Sequence, residues 1–254
     1  MSATAKRILA IHAHPDDVEI QCAGTLALLK QRGHHVTCIT MSPGDCGSAE
    51  LGPLAIAATR RAEAQAAADL LGVEYECLEF RDLSICFDNP SRQRVTECLR
   101  RFRPDIVLTA PPVDYMPDHE ITSRLVRDAC FNAAVPNYDT RQPNPAACLE
   151  KIPHLYYVDP VEGTDWYGNP IEPSFIVDTT SVFDLKRDML ACHSSQREWL
   201  RRQHGMDEYL DSMERWSRQR GSLIEAEHGE GYRQHLGHPH PQDDLLQSLL
   251  SLTK

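Results

Sequence analysis

The amino-acid sequence predicts an α/β protein: a doubly wound, mostly parallel sheet with helices on both faces and a helical C-terminal extension. Two observations lead there. Strand-like apolar runs alternate with helical stretches through the first 134 residues, the order that βαβ units with right-handed crossovers require. The opening run, RILAIHAH, is apolar almost without a break, as strands buried on both faces are.

Taken in order, RILAIHAH is the first strand, and residues 18–31 (VEIQCAGTLALLKQ) read as one helix stopped by Gly33. HHVTCITMS is the second strand. A Gly- and Pro-bearing loop, SPGDCGSAELGP, leads into the Ala-rich helix LAIAATRRAEAQAAADLLG, closed by its glycine. YECLEF is the third strand, RQRVTECLRRF a helix, DIVLTAPP the fourth strand and HEITSRLVRDACFNAA the next helix. This alternation makes the sheet Rossmann-like. Beyond Ala134, HLYYVDP and SFIVDTT read as late strands at a sheet edge. SVFDLKRDMLACHSSQREWLRRQ and EYLDSMERWSRQRGSLIEAEHGEGYRQHL read as helix. With no repeat and no long linker, one domain over residues 1–254 is expected, its extension beginning near residue 200.

Composition narrows the function. A net charge of -11 argues against nucleic acid, which needs clustered Lys and Arg. No stretch approaches the apolar length of a membrane span. The nine cysteines are odd in number and none forms a C-x-x-C pair, so reduced thiols in a cytoplasmic protein are expected, with no signal peptide ahead of them.

In a doubly wound sheet, ligands bind beyond the carboxyl ends of the strands. HPDDVE follows the first strand and APPVDYMPDHE the fourth, so both clusters face one crevice. His14, Asp17 and His119 then make a set of two imidazoles and a carboxylate that suits a divalent metal, Zn²⁺ first, with Fe²⁺ or Co²⁺ accepting the same donors. A cation there would also neutralise the crowded acids. As plain structure, Asp16 or Asp17 would be a helix N-cap and no more.

AHPDDVE at 13–19 with PDH at 117–119 resembles the PIG-L/LmbE-like zinc-dependent de-N-acetylases, which remove acetyl groups from N-acetylglucosaminyl compounds and related amides. Arg60-x-x-Glu63 resembles that family's R-x-x-E element, RDLSI its acidic loop after the third strand, and the segment from His193 to Gln196 its late H-x-S-Q. The likeness runs from residue 8 to about 196. It implies His14, Asp17 and His119 as metal ligands and Asp16 as general base. It implies Asp118 as the partner that fixes a histidine tautomer, and Arg60 and Asp82 as grips for sugar hydroxyls. One departure stands out. The family commonly has His-Pro-Asp-His, and here Met116 replaces the first histidine, whose ring would help hold the oxyanion. His228, His235, His238 or His240 of the C-terminal segment, with His228 and His238 foremost, is expected to supply that donor from this subunit or a neighbouring one.

The reading is a zinc-dependent hydrolase acting on a small N-acetylated sugar, with no membrane or nucleic-acid partner and a homo-oligomeric state. Trp166 and Tyr167, in GTDWYGNP, are open to two readings, stacking on a sugar ring or anchoring their loop. Two other functions stay in view: cleavage of a different amide such as a thiol-sugar conjugate, and a non-catalytic sugar- or nucleotide-binding module that contains a metal. Against the last, the first turn lacks G-x-G-x-x-G.

Overall fold

The computed structural model describes residues 4–198 and 208–251. Five strands run parallel: β1 (Arg7–His12), β2 (His35–Thr40), β3 (Glu74–Cys77), β4 (Ile106–Thr109) and β5 (His154–Val158). With β6 (Phe175–Asp178) and β7 (Gly229–Gln234) they form one sheet in the order β3-β2-β1-β4-β5-β7-β6. Chain order reverses at β1, which lies between β2 and β4. The helices are α1 (Asp17–Gln21), α2 (Ala23–Gln31), α3 (Pro53–Leu71), α4 (Asn89–Phe102), α5 (Pro117–Ala133), α6 (Phe183–Ala191), α7 (Glu208–Ser222) and α8 (Leu245–Ser251).

β1 shows why its sequence is apolar throughout. Ile8 and Ala10 face a core shared with Leu26 and Leu29 of α2. Leu9 and Ile11 face the opposite core, built with Val95 and Leu99 of α4 and Leu125 and Val126 of α5. Alternate side chains thus enter different cores, so Ile8 to Ile11 are apolar on both faces. The cysteines are all free. Among the described residues no helix is long and apolar enough to cross a membrane.

Three expectations are corrected. The first helix is two, broken at Cys22 (φ -146°, ψ 4°), because a carboxylate caps the second: Glu230 of β7 accepts from the amides of Gly24 and Thr25 at 2.9 and 2.8 Å. The stretch around residues 229–234 is a strand, not a helix. It inserts antiparallel between β5 and β6, and a side chain on Gly231 would collide with Asp159. The helix expected from residue 181 onward ends at Ala191. Residues 194–198 are helical again after Glu63 accepts from Ser194 Oγ (2.9 Å) and from Ser195 N and Oγ (both 2.7 Å). Residues 199–203 of that expected helix lie outside the described residues.

Glu230 also meets Lys186, whose ammonium is fully buried, and the Tyr232 hydroxyl. One carboxylate thereby ties α2, α6 and β7 together.

Candidate metal centre and active site

Beyond β1 the chain turns through His14, Pro15, Asp16 and Asp17. Asp17 Oδ2 accepts from the His14 amide at 2.8 Å and closes the turn. Asp16 sits at φ 100°, a left-handed conformation that costs a residue with a side chain. Two partners hold it there. Tyr209 of α7 donates to Asp16 Oδ2 at 2.7 Å, and Arg60 Nη2 lies 3.4 Å from the same oxygen while donating to Pro15 O at 2.6 Å. The guanidinium fills the space beside Gly44 and Gly47, where any Cβ would strike it.

From the end of β4, α5 brings His119 to the same place. His14 Nδ1, His119 Nε2 and the Asp17 carboxylate approach one another at 3.3–3.6 Å, all buried. The other nitrogen of each imidazole faces carboxylates. His14 Nε2 lies 3.0 Å from Asp82 Oδ1 and 3.3 Å from Asp118 Oδ2, and His119 Nδ1 lies 3.3 Å from Asp114 Oδ1. Asp82 and Asp118 are fixed in turn by the amides of Cys46 (3.1 Å) and Leu83 (2.8 Å).

The electrostatics are lopsided. Four carboxylates, Asp17, Asp82, Asp114 and Asp118, surround two imidazoles. Burial alone would lower the pKa of His119, but Asp17 and Asp114 outweigh it and raise it to about 10. His14 is likewise raised well above its usual value, Asp118, Asp17 and Asp82 overcoming burial. Burial would raise Asp17, yet the two imidazoles hold it well below the usual carboxylate range. Burial dominates at Asp16, raising its pKa against the pull of Arg60. Even with both imidazoles charged, negative charge remains in excess, and a divalent cation would balance it.

The donors fit such a cation. Two imidazole nitrogens and a carboxylate converge, and carboxylates hold the outer nitrogen of each ring, as second partners of metal-bound histidines do. Asp17 and His119 also line a cleft of about 480 Å³, together with Asp16, Tyr115, Glu162 and Trp216. Other buried or half-exposed groupings, His14 with Asp82 and Asp118 and Asp45 with Cys46 and Asp82, draw on carboxylates already bonded to backbone amides and not part of that cleft.

The other expected residues fall as follows. Arg60 and Asp82, expected at the sugar, are buried behind the cleft and turned to Asp16 and to His14. His228 stacks on Phe183 (ring centroids 3.6 Å apart), and His238 is exposed, so this copy does not bring either ring to His119. His235 and His240 lie against each other beside Tyr157. His193 is buried with its Nε2 3.3 Å from Glu19. His12 is buried, and burial lowers its pKa to about 4.

Sequence reasoning missed Tyr209, Asp114 and Tyr115. Asp114 was findable, since it stands in the same acidic cluster as His119. Nothing in the sequence ties Tyr209 to Asp16.

Residues 9–130 match the family described as "PIG-L: GlcNAc-PI de-N-acetylase". A 4-oxalmesaconate hydratase from Pseudomonas putida is 27% identical over 77% of this chain and 76% of its own. A diacetylchitobiose deacetylase from Thermococcus kodakarensis is 28% identical over 75% of this chain and 70% of its own. Among solved structures, the N,N'-diacetylchitobiose deacetylase of Pyrococcus horikoshii superposes with a TM-score of 0.78 at 26% identity, covering 95% of this chain and 89% of that one.

Proposed function

Because the chain carries a PIG-L family domain, we propose that it is a metal-dependent hydrolase that removes the acetyl group from an N-acetylated amino sugar of the GlcNAc type. The observation that carries this reading is the convergence of His14, Asp17 and His119 on one another, at a cleft lined by Asp17, His119 and Asp16.

His14 Nδ1, His119 Nε2 and the Asp17 carboxylate would hold a zinc ion. When bound, zinc acidifies water and polarises the amide carbonyl. Asp16 takes the proton of the attacking water and returns it to the departing amine, so that amide and water become amine and acetate. Its raised pKa, set by burial against Arg60, suits a group that must hold a proton between those two transfers. Tyr209 and Arg60 keep the carboxylate aimed, and Asp82, Asp118 and Asp114 hold the imidazoles. With Met116 unable to donate, Tyr115 is one of the cleft-wall residues whose hydroxyl could serve the developing oxyanion, and its ring stands edge-on to His119 at 5.5 Å.

The hydratase relative acts on a different class of compound. Among the described residues lining the cleft there is no Lys or Arg, whereas Glu162 and Glu208 are there. That lining favours a neutral sugar over a polycarboxylate.

The test combines metal analysis of the purified protein with acetate release from N-acetylglucosamine and diacetylchitobiose. Asp16→Asn should keep its metal and lose turnover by roughly 10² or more, the scale of a lost general base. Metal held by both forms, with acetate released by neither, would favour a binding module instead.

A further inference from the structure

Asp16 is held by Arg60, and Arg60 lies in a slot that its own helix does not make. The guanidinium rests against Gly44 and Gly47, donates to Pro15 O at 2.6 Å and stands 3.4 Å from Asp16 Oδ2. A left-handed aspartate persists only where its surroundings over-determine it. One wall of the slot is tied from far along the chain: Gln196, 149 residues beyond Gly47, donates from Nε2 to Gly47 O at 3.0 Å. The residues just before Gln196 reach two more pieces of the same site. Glu63, one turn after Arg60 on α3, accepts from Ser194 Oγ (2.9 Å) and from Ser195 N and Oγ (both 2.7 Å). Glu63 is buried, and a buried carboxylate is costly unless its oxygens are bonded. His193, fully buried, places Nε2 3.3 Å from Glu19 of α1, the helix that Asp16 precedes. Four consecutive residues thus touch α1, α3 and the loop at 44–47, the three elements that set where Asp16 sits.

We propose that His193, Ser194, Ser195 and Gln196 form a clasp that positions the general base, locking those three elements together and so seating Arg60 on Asp16. None of the four lines the cleft, so they act through Arg60 and Asp16 and not on the substrate. This rests on the deacetylase reading above, in which Asp16 moves the proton. Gln196 is the most direct link. Without its bond Gly47 can withdraw, the slot widens, and the guanidinium is no longer confined to span Pro15 O and Asp16. A catalytic group displaced by about 1 Å can lose up to roughly 10² in rate.

Gln196→Glu keeps the shape of the side chain but presents an oxygen, not a donor, to Gly47 O. It should lower kcat for acetate release from N-acetylglucosamine or diacetylchitobiose about fivefold, the worth of one hydrogen bond, with KM and bound metal unchanged. Ser195→Ala should act in the same direction, and Ser195→Thr, which keeps the hydroxyl, should restore most of the rate. In an Arg60→Lys background, Gln196→Glu should cost less than about twofold, because the group it acts through is already released. Amide hydrogen exchange gives a reading independent of turnover. Peptides covering 13–18 and 44–47 should exchange about fivefold faster in Gln196→Glu, with α4 and α5, in the core on the other face of the sheet, unchanged. The proposal is overturned if Gln196→Glu leaves either kcat or this local exchange as it was, or if its defect lies in KM. It is also overturned if the cost multiplies in full with that of Arg60→Lys, or if exchange rises across α4 and α5 as well, the sign of general loosening. Should wild-type protein release no acetate from either sugar, the deacetylase reading fails and exchange alone decides: local acceleration retains the clasp, and its absence overturns it.

Discussion

Tyr209 reaches across 193 residues of chain to donate a 2.7 Å hydrogen bond to Asp16. The bond joins α7, in the C-terminal extension, to the first turn after β1. A hydrogen bond to a charged group is worth about 1.5–3 kcal/mol. Tyr209→Phe is expected to lower kcat by roughly tenfold or more on that scale, with KM little changed. Steady-state kinetics at fixed metal content would show it, and an unchanged kcat would remove Tyr209 from the mechanism.

Arg60 gives a prediction of the opposite kind from the one its sequence suggested. If it gripped a sugar hydroxyl, shortening it would raise KM. Buried between Gly44, Gly47, Pro15 and Asp16, it holds the strained turn instead. Arg60→Lys cannot span Pro15 O and Asp16 together, so kcat should fall while KM holds. Gly44→Ala, which drives a methyl into the guanidinium at a left-handed position (φ 71°), should reproduce the defect and also lower Tm.

The proposed metal ligands should show an inverted pH response. In metal-free protein His119 titrates near 10 instead of 6.5, so its contribution to stability is complete below about pH 6.5 and fades as pH climbs toward 10. A metal needs the neutral ring, so binding expels protons and tightens as pH rises. Thermal melts between pH 6 and 9 should therefore fall with pH for chelated protein, and the stabilisation gained on adding zinc should grow. Parallel curves for the two forms would contradict the assignment.

Lys186 and Glu230 form a buried pair whose two ends are not equal. Glu230 retains the amides of Gly24 and Thr25 and the Tyr232 hydroxyl if the lysine is lost. Lys186, fully buried, is left with no carboxylate if the glutamate is lost. Breaking a buried pair costs about 3–5 kcal/mol. Glu230→Ala should reach or pass that range and Lys186→Met fall below it, as measured by denaturant unfolding. Equal costs would show that the cap on α2 contributes little.

Local pattern carried most of the architecture. β1 to β4 and the helices between them follow from apolar runs, glycine stops and Ala-rich periodicity, all written within a few neighbouring residues. His14, Asp17 and His119 were legible for a related reason: strand ends in such a sheet share one edge, so two polar clusters at strand ends meet. What stayed hidden depends on distant partners. The break at Cys22 needs the carboxylate of Glu230, and the strand at 229–234 needs the open edges of β5 and β6. The turn of Arg60 and Asp82 away from the cleft depends on which of several nearby groups each one meets, and spacing does not encode that.

The insertion of β7 sets the order in which the chain can be completed during synthesis. β5 and β6 both precede residue 229, yet the far edge of β5 and the whole of β6 stay unpaired until β7 slides between them. Until then a ribosome-bound chain shows two open strand edges, a naked N-terminus on α2 and an uncompensated Lys186. The sheet is closed by a strand that follows both of its neighbours in the chain, so a chain interrupted before β7 exposes the unpaired edges through which β proteins aggregate.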